Sequence, residues 1–326
     1  MKEKYDFTVI GTAATVSTFK VVDMPETGKS TAVLNYGIQK YENGGVGFNI
    51  CAALTKLGMK VQPVLTYVDH RQREFLHSYF QEYNLPCEGL MDPPDDSCGT
   101  TILIQDKNKD HMTLITEYAR RMPDSKYFRV QEMKESYFTK SRCVILSAPM
   151  AMNTPNVVDA IRKYRPLLCF SMRKDPIAYP EPLLKEILLM SAFVFANEFE
   201  TQYLLSLFDL KTMDDLFRID KALNVFAETV GSKGSIIYKR TEKGIEKYNV
   251  SAVKPDTEEI DTVGAGDGYL SGFMYAWNQG KDIPVCAEVG SIVSSYVIEK
   301  EGSTTNLPDQ KQVRERYQRL HPEVAL

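Results

Sequence analysis

Short apolar runs rich in β-branched and aromatic residues recur along this chain, spaced so that each leaves room for a helix before the next. They are Tyr5 to Ile10, Val61 to Leu65, Cys143 to Leu146, Leu167 to Phe170, Phe193 to Ala196 and Ser235 to Tyr238. A strand that is apolar at successive positions has to be covered on both faces, as happens when helices pack on either side of a parallel sheet. Helical spacing is predicted over 70–83, from Thr154 onward, and over Met213 to Glu228, where Leu216, Ile219, Leu223 and Phe226 recur. The expected core is a doubly wound, mostly parallel α/β sheet flanked by helices. A length of 326 residues with 43% hydrophobic content suffices for one such domain and a smaller appendage.

Two stretches break the alternation. Residues 13–41 and 97–119 are rich in Thr, Val, Ile and Tyr and hold no helical period. Within the second, Gly99 to Gln105 and His111 to Thr116 flank the polar run Asp106 to Asp110, which reads as a hairpin. Both stretches are expected to form one small β-sheet inserted into a core made of 1–12, 42–96 and 120–326. A sheet lying over a cleft would act as a lid that keeps water from a reacting group.

Charge and targeting signals remove several function classes. A formal net charge of -4 gives no positive field for nucleic acid or an anionic membrane surface. The first strand-like run starts at Tyr5 without the pattern of a signal peptide, and no apolar run reaches the roughly 20 residues of a membrane span. A cytoplasmic protein is expected. Cys51, Cys87, Cys98, Cys143, Cys169 and Cys286 lie far apart with no CxxC pair, so they are expected to be ordinary thiols.

The sharpest local signal is Asp261-Thr262-Val263-Gly264-Ala265-Gly266-Asp267, a glycine-rich turn that opens the apolar stretch Gly268 to Trp277. Backbone N–H groups at a helix start, uncovered by Gly264 and Gly266, suit phosphate oxygens, and the helix dipole adds to the attraction. Asp267 at such a turn can accept a proton from an attacking hydroxyl while the turn stabilises the charge that develops. Taken alone, the turn would only cap a helix.

The whole heptad resembles the Asp-Thr-x-Gly-Ala-Gly-Asp signature of the ribokinase-like (PfkB-type) carbohydrate kinase family. That resemblance implies the fold described above with a β lid, an ATP-dependent transfer of a phosphoryl group to an alcohol of a sugar or sugar-like substrate, and ATP and Mg2+ as cofactors. It makes Asp267 the catalytic base and Gly264, Ala265 and Gly266 the anion hole, places Thr262 at the nucleotide, and gives Asp261 to a monovalent cation such as K+. Near the start, Asn43-Gly44-Gly45-Val46-Gly47-Phe48-Asn49 and the following Ile50 to Gly58 are similar to the family's Gly-Gly-x-Gly-x-Asn-x-Ala element. Gly44, Gly45, Gly47 and Asn49 are then substrate-binding, the Asn amide both donating to and accepting from hydroxyls.

Three further matches follow in family order. Asn197 and Glu200, directly after the run Phe193 to Ala196, resemble the Asn-x-x-Glu element that organises magnesium, with Glu200 reaching the ion through water. Thr229, Gly231 and Gly234 resemble the nucleotide loop, and Gly302 and Asn306 the loop that closes over the adenine. The plain alternatives are an Asn cap with a solvated Glu, a helix C-cap before a strand, and a helix-ending turn.

The match also fails in places. Many members carry a sugar-binding Asp soon after the glycine that ends the first strand, whereas Gly11 here is followed by no acid before Asp23. Ser171-Met172-Arg173-Lys174-Asp175 stands where sugar-acid kinases place Asp-x-Asn-x-Arg. Arg173 is the substrate-binding candidate there, and Lys174, Arg120 and Arg121 are weaker ones for an anionic substrate group. Thr66 to Arg71 lacks glycines common in the family. The alternatives that remain are a nucleoside kinase of the same fold, kept open by Phe19, Tyr36 and Tyr41, and a non-catalytic sugar- or nucleotide-binding regulatory protein. An NAD-dependent dehydrogenase does not fit, because Gly44 to Gly47 is not on the first βα turn. The exposed edges of a small sheet make a homodimer through the lid an expectation.

Overall fold

The computed structural model describes residues 4–38, 41–67, 72–91, 100–108, 111–115, 130–149 and 153–323. In chain order the elements are β1 (Tyr5–Lys20), β2 (Tyr41–Gly44), α1 (Val46–Lys56), β3 (Val61–Tyr67), α2 (Gln72–Glu82), β4 (Leu90–Met91), β5 (Thr100–Gln105), β6 (His111–Ile115) and α3 (Glu135–Thr139). Then come β7 (Ser141–Leu146), α4 (Thr154–Tyr164), β8 (Leu168–Ser171), α5 (Glu181–Met190), β9 (Phe193–Asn197), α6 (Glu198–Leu207), α7 (Met213–Ile219) and β10 (Val225–Thr229). The chain finishes with β11 (Ser235–Thr241), β12 (Gly244–Val250), α8 (Ala265–Asn278), α9 (Ile283–Val297) and α10 (Gln310–Leu320).

The main sheet has the order β12-β11-β10-β9-β8-β7-β1-β3-β4. All neighbours from β10 to β4 run parallel, and β11 and β12 add an antiparallel edge. Alternate residues of each buried strand divide between two cores. Phe7, Val9, Cys143, Ile145, Phe193 and Phe195 face α1, α2, α8, α9 and α10, whereas Ile10, Val144, Leu146, Val194 and Ala196 face α3 to α7. That division is why the strands read as continuous apolar runs in the sequence. Helices α8 and α9 pack closely, since a side chain at Gly272 would come within 2.7 Å of the Val289 carbonyl oxygen and one at Gly290 within 2.7 Å of that of Tyr269.

A second, smaller sheet grows out of the first. β1 runs unbroken through residue 12, pairing with β7 up to Ile10 and with β3 up to Ala13, then with β2 from Ala14 to Ser17 and with β5 from Thr15 to Lys20. β5 and β6 form an antiparallel hairpin. The register puts Ala14, Val16, Thr18, Leu103 and Gln105 on one face and Phe19, Ile102, Ile104, Met112 and Leu114 on the other.

The helix expected over Met213 to Glu228 is corrected: α7 stops at Ile219, and Val225 to Thr229 is a central strand. Asp220 leaves the helical conformation, and its Oδ1 accepts from the amides of Ala222 at 2.9 Å and Leu223 at 3.1 Å, which turns the chain. Arg240 Nη2 donates to the carbonyls of Phe217 and Asp220, each at 2.6 Å, closing the helix end. Leu223 and Phe226 are buried as expected, but in a loop and a strand. Cys51, Cys143, Cys169 and Cys286 are buried free thiols and Cys87 an exposed one, while Cys98 lies outside the described residues. Among the described residues no helix is long and apolar enough to cross a membrane.

Candidate active site

In an open parallel sheet the carboxyl ends of the strands beside a reversal of order leave a crevice that chain connections do not fill. Here β1 is that reversal, with β3 on one side and β7 on the other. Residues just beyond the neighbouring strands converge there. Ala148 lies beyond β7, Ser171 ends β8 with Met172 and Arg173 after it, Asn197 ends β9 with Glu200 beyond it, and Thr229 ends β10; with Val46, Gly266, Asp267 and Tyr269 they line a cavity of about 230 Å³.

The N-terminus of α8 closes this cavity. Gly264 is its N-cap in the left-handed region, φ 81°, and a side chain there would lie 2.7 Å from Ser303 Cβ. Only glycine meets both conditions without strain. Gly266 differs, because a Cβ built on it meets no atom within 4 Å. Its missing side chain leaves open space over the first helical turn, where amides without an intrahelical partner and the positive end of the dipole favour an anion.

Asp267 sits on that same turn, half-buried beside the cavity. Asn49 of α1 donates its Nδ2 to Asp267 Oδ2 at 2.7 Å, and Ser303 Oγ donates to Asn49 Oδ1 at 2.9 Å. Burial pushes the Asp267 carboxyl up to about 6, against the Asn49 bond and the Arg173 charge, which both favour the ionised form. Burial likewise raises Glu200, opposed by the Asn197 amide and by Arg173, while Asp267 adds to the rise. Among the described residues Arg173 is thus the cation that faces both carboxyls.

Asn197 and Glu200 form a reciprocal capping box on α6, the side chain of each accepting from the backbone N–H of the other at 2.9 Å. Both also line the cavity, so the capping role and a ligand-facing position coexist. Through Thr229, Gly266 and Tyr269 this cavity adjoins a groove of about 430 Å³. Thr229, Gly231, Gly234, Thr262 and Ala265 line the groove, together with apolar Val253, Pro255, Ile260 and Ile298 and with Ser291, Ser294 and Ser295.

Other residues singled out in the sequence are placed differently. Side chains at Gly45 and Gly47 would strike the backbone of β1, within 2.7 Å of Ala14 N and 2.8 Å of Thr12 N respectively, so these glycines press the start of α1 against β1. Gly44 is the one whose Cβ position looks towards Asn49 Oδ1, at 3.7 Å. Gly302 and Asn306 do not line the groove. Gly302 N donates to Asp261 Oδ2 at 3.1 Å, and Asn306 Nδ2 donates to the Tyr296 carbonyl at 2.7 Å. Asp261 is buried, its Oδ1 accepting from Gln105 Nε2 at 3.2 Å and from Val263 N at 3.3 Å. Asp23 is exposed and pairs with Lys107 at 3.1 Å, and Lys174 lies over the Tyr203 ring, so neither joins the cavity. Arg120 and Arg121, like Val68 to Arg71, lie outside the described residues.

Sequence reasoning missed Ser303, Gln105 and Tyr269. Tyr269 stood in the motif stretch as an apolar core residue, yet it lines both cavity and groove and donates its hydroxyl to Ser235 Oγ at 2.7 Å. Ser303 and Gln105 act across long sequence separations, and only the fold brings them in.

A family model described as pfkB family carbohydrate kinase matches residues 20–310 of the chain. The chain is 28% identical over 316 residues to a nucleoside kinase of Methanocaldococcus jannaschii, covering 96% of each. It is 23% identical over 290 residues to a 5-dehydro-2-deoxygluconokinase of Listeria innocua, covering 83% of this chain and 85% of that one. The crystal structure of the M. jannaschii nucleoside kinase, an archaeal member of the ribokinase family, superposes with a TM-score of 0.79 at 22% identity, over 98% of this chain and 100% of that one. The fold is therefore ribokinase-like.

Proposed function

This chain belongs to the pfkB family of carbohydrate kinases and is a phosphotransferase; from that membership we propose that it moves the γ-phosphate of ATP to a hydroxyl of a sugar-bearing acceptor, with Asp267 as general base. The observation that carries the reading is one short turn holding both parts of the chemistry. The carboxylate of Asp267, raised to about 6, stands one residue beyond the open space over Gly266. A base whose pKa lies near neutrality is ionised at pH 7 and still takes a proton readily.

In this reading Asp267 accepts the proton of the attacking hydroxyl, and Asn49 Nδ2 steers its second oxygen. The amides of the α8 start and the Arg173 guanidinium offset the charge that grows on the transferred group. The groove takes the rest of the nucleotide, its apolar walls suiting a base and Ser232, Ser291, Ser294 and Ser295 supplying polar contacts. Among the described residues no group of three or more His, Cys, Asp or Glu could cage a metal ion. Magnesium keeps most of its waters and takes few carboxylates, so Glu200 alone fits it, and when bound the ion neutralises phosphate charge. Asp261 is held by N–H donors on both oxygens, and a K+ ion there would compete with them. The small sheet serves as the lid that excludes water.

The acceptor wall favours a nucleoside over a free sugar. Ala14, Val16 and Thr18 make up the face of β1 nearest Asn49, and Val16 Cγ2 comes within 3.2 Å of the Cβ position of Gly44. This short surface is largely apolar and can lie against a base, while Glu42, opposite Val16 on β2, brings one carboxylate to the same face for hydroxyls. The outward face, where Met112 and Leu114 are 42% and 43% exposed, supports the expectation of a homodimer through the lid. Magnesium-ATP with a panel of nucleosides, sugars, sugar acids and polyols tests the reading by acceptor-dependent ADP release. Release with nucleosides supports it, release only with free sugars moves the acceptor class, and no acceptor-dependent release across the panel contradicts it.

A further inference from the structure

We propose that Ser303 is a positioning residue for phosphoryl transfer, fixing the amide of Asn49 so that Asp267 is held ionised and aimed at the acceptor. The inference rests on Asp267 being the base. An Asn side chain has one donor end and one acceptor end, and a carboxylate next to it accepts only from the donor end. Asn49 is 7% exposed, so neither end can turn to bulk water without cost. The Ser303 hydroxyl donates to Oδ1 at 2.9 Å, leaving Nδ2 to donate to Asp267 Oδ2 at 2.7 Å. Were the amide reversed, its oxygen would face the carboxylate, and the arrangement would be tolerable only with Asp267 protonated. The serine thus links a bond it makes itself to the protonation state of a group it does not touch.

The placement of Ser303 supports this role. Its Cα and Cβ lie against Gly264, 2.9 and 2.7 Å from where a Cβ would be, so the residue that orients Asn49 also abuts the turn bearing Asp267. Its loop is tied on one side to Asp261 through Gly302 N at 3.1 Å, and on the other to the small sheet through Glu301 and Lys20 at 2.8 Å. Among the described residues the charged groups that face Asp267 are Arg173 beyond β8 and Glu200 on α6. Neither belongs to the Ser303 loop, so removing the hydroxyl leaves both in place.

Ser303→Ala keeps the Cβ that packs on Gly264 and deletes only the donor. The first readout is the carboxyl titration of Asp267 in ligand-free protein carrying 13C-labelled aspartate, assigned with Asp267→Asn. The wild type is expected to titrate near 6, and Ser303→Ala about one pH unit higher. An unchanged titration overturns the proposal. The second readout is kinetic, with whichever acceptor the panel identifies. Ser303→Ala is expected to lower kcat about tenfold or more, the scale of one misdirected charge-assisted hydrogen bond, with acceptor KM little changed and the acid limb moved to higher pH. A fall confined to KM, or an unmoved limb, overturns it. Full activity in Asp267→Asn removes the base assignment and with it the catalytic role, whereas the titration reports the hydrogen-bond relay by itself.

Discussion

The two sheets that share β1 are built on opposite principles. The main sheet is covered by helices on both faces, and the α8 turn and the Asn197 and Thr229 positions sit at the ends of its buried strands. The small sheet continues from the main one along β1, is tied further by polar contacts such as Gln105 to Asp261 and Lys20 to Glu301, and bares apolar side chains on its far face. On the proposed function, the phosphate-handling side is fixed by packing on both faces, and the acceptor side by the shared strand β1 and a few replaceable hydrogen bonds. Such a division lets one chemical apparatus serve different acceptors by changes in a single small sheet.

The comparison breaks most readily at two glycines separated by one residue. Gly266→Val is expected to cut turnover by about 10²-fold or more by filling the anion space, with an unchanged melting temperature, since a Cβ there meets nothing within 4 Å. Gly264→Ala is expected instead to cost about 1–3 kcal/mol of stability, because φ is 81° and Ser303 blocks the Cβ position. Denaturant titration beside initial rates separates the two. Equal stability losses would mean that the space over Gly266 is not reserved for a ligand.

The next effect is on stability against pH. Asp267 has its folded pKa raised from 3.8 to about 6, so its ionised form prefers the unfolded chain. The penalty is absent below pH 3.8, grows between 3.8 and about 6, and is constant above. Asp267→Asn is therefore expected to stabilise the protein by on the order of 2 kcal/mol at pH 7 and by little at pH 4. Unfolding curves at both pH values check this, and a variant less stable at pH 7 would contradict it.

The smallest effects belong to the small sheet. Gln105→Ala is expected to raise the acceptor KM a few-fold by loosening the tie to Asp261, while kcat stays within about twofold. Lys20→Ala, which removes an exposed ion pair, is expected to change either constant by less than about twofold. A large kcat loss in Gln105→Ala would show that the small sheet takes part in the chemical step.

The same contrast governs what was legible in the sequence. Buried strands announce themselves as apolar runs, and the Asp261 to Asp267 heptad is contiguous, so the core and the turn proposed to be catalytic can be read directly. Phe226 reads as helical because helical spacing and strand burial both put apolar residues near 216, 219, 223 and 226. The turn that decides between them depends on Asp220 bonding two amides. The boundary drawn at residue 12 missed that one strand serves both sheets, a fact of pairing that β-propensity along β1 cannot reveal. Gly45 and Gly47 read as points of close backbone approach, and the fold adds that they also press the start of α1 against β1. Ser303 and Asn49 are 254 positions apart, and no local pattern predicts their bond.

The central claim is that Asp267 takes the proton in phosphoryl transfer. Comparing wild type with Asp267→Asn, on the acceptor identified by ADP release, tests it most directly when nucleotide and acceptor binding are measured on the same samples. The expected result is a kcat lower by about 10²- to 10⁴-fold with both affinities within a few-fold of wild type. A kcat within tenfold of wild type, with binding intact, would contradict it.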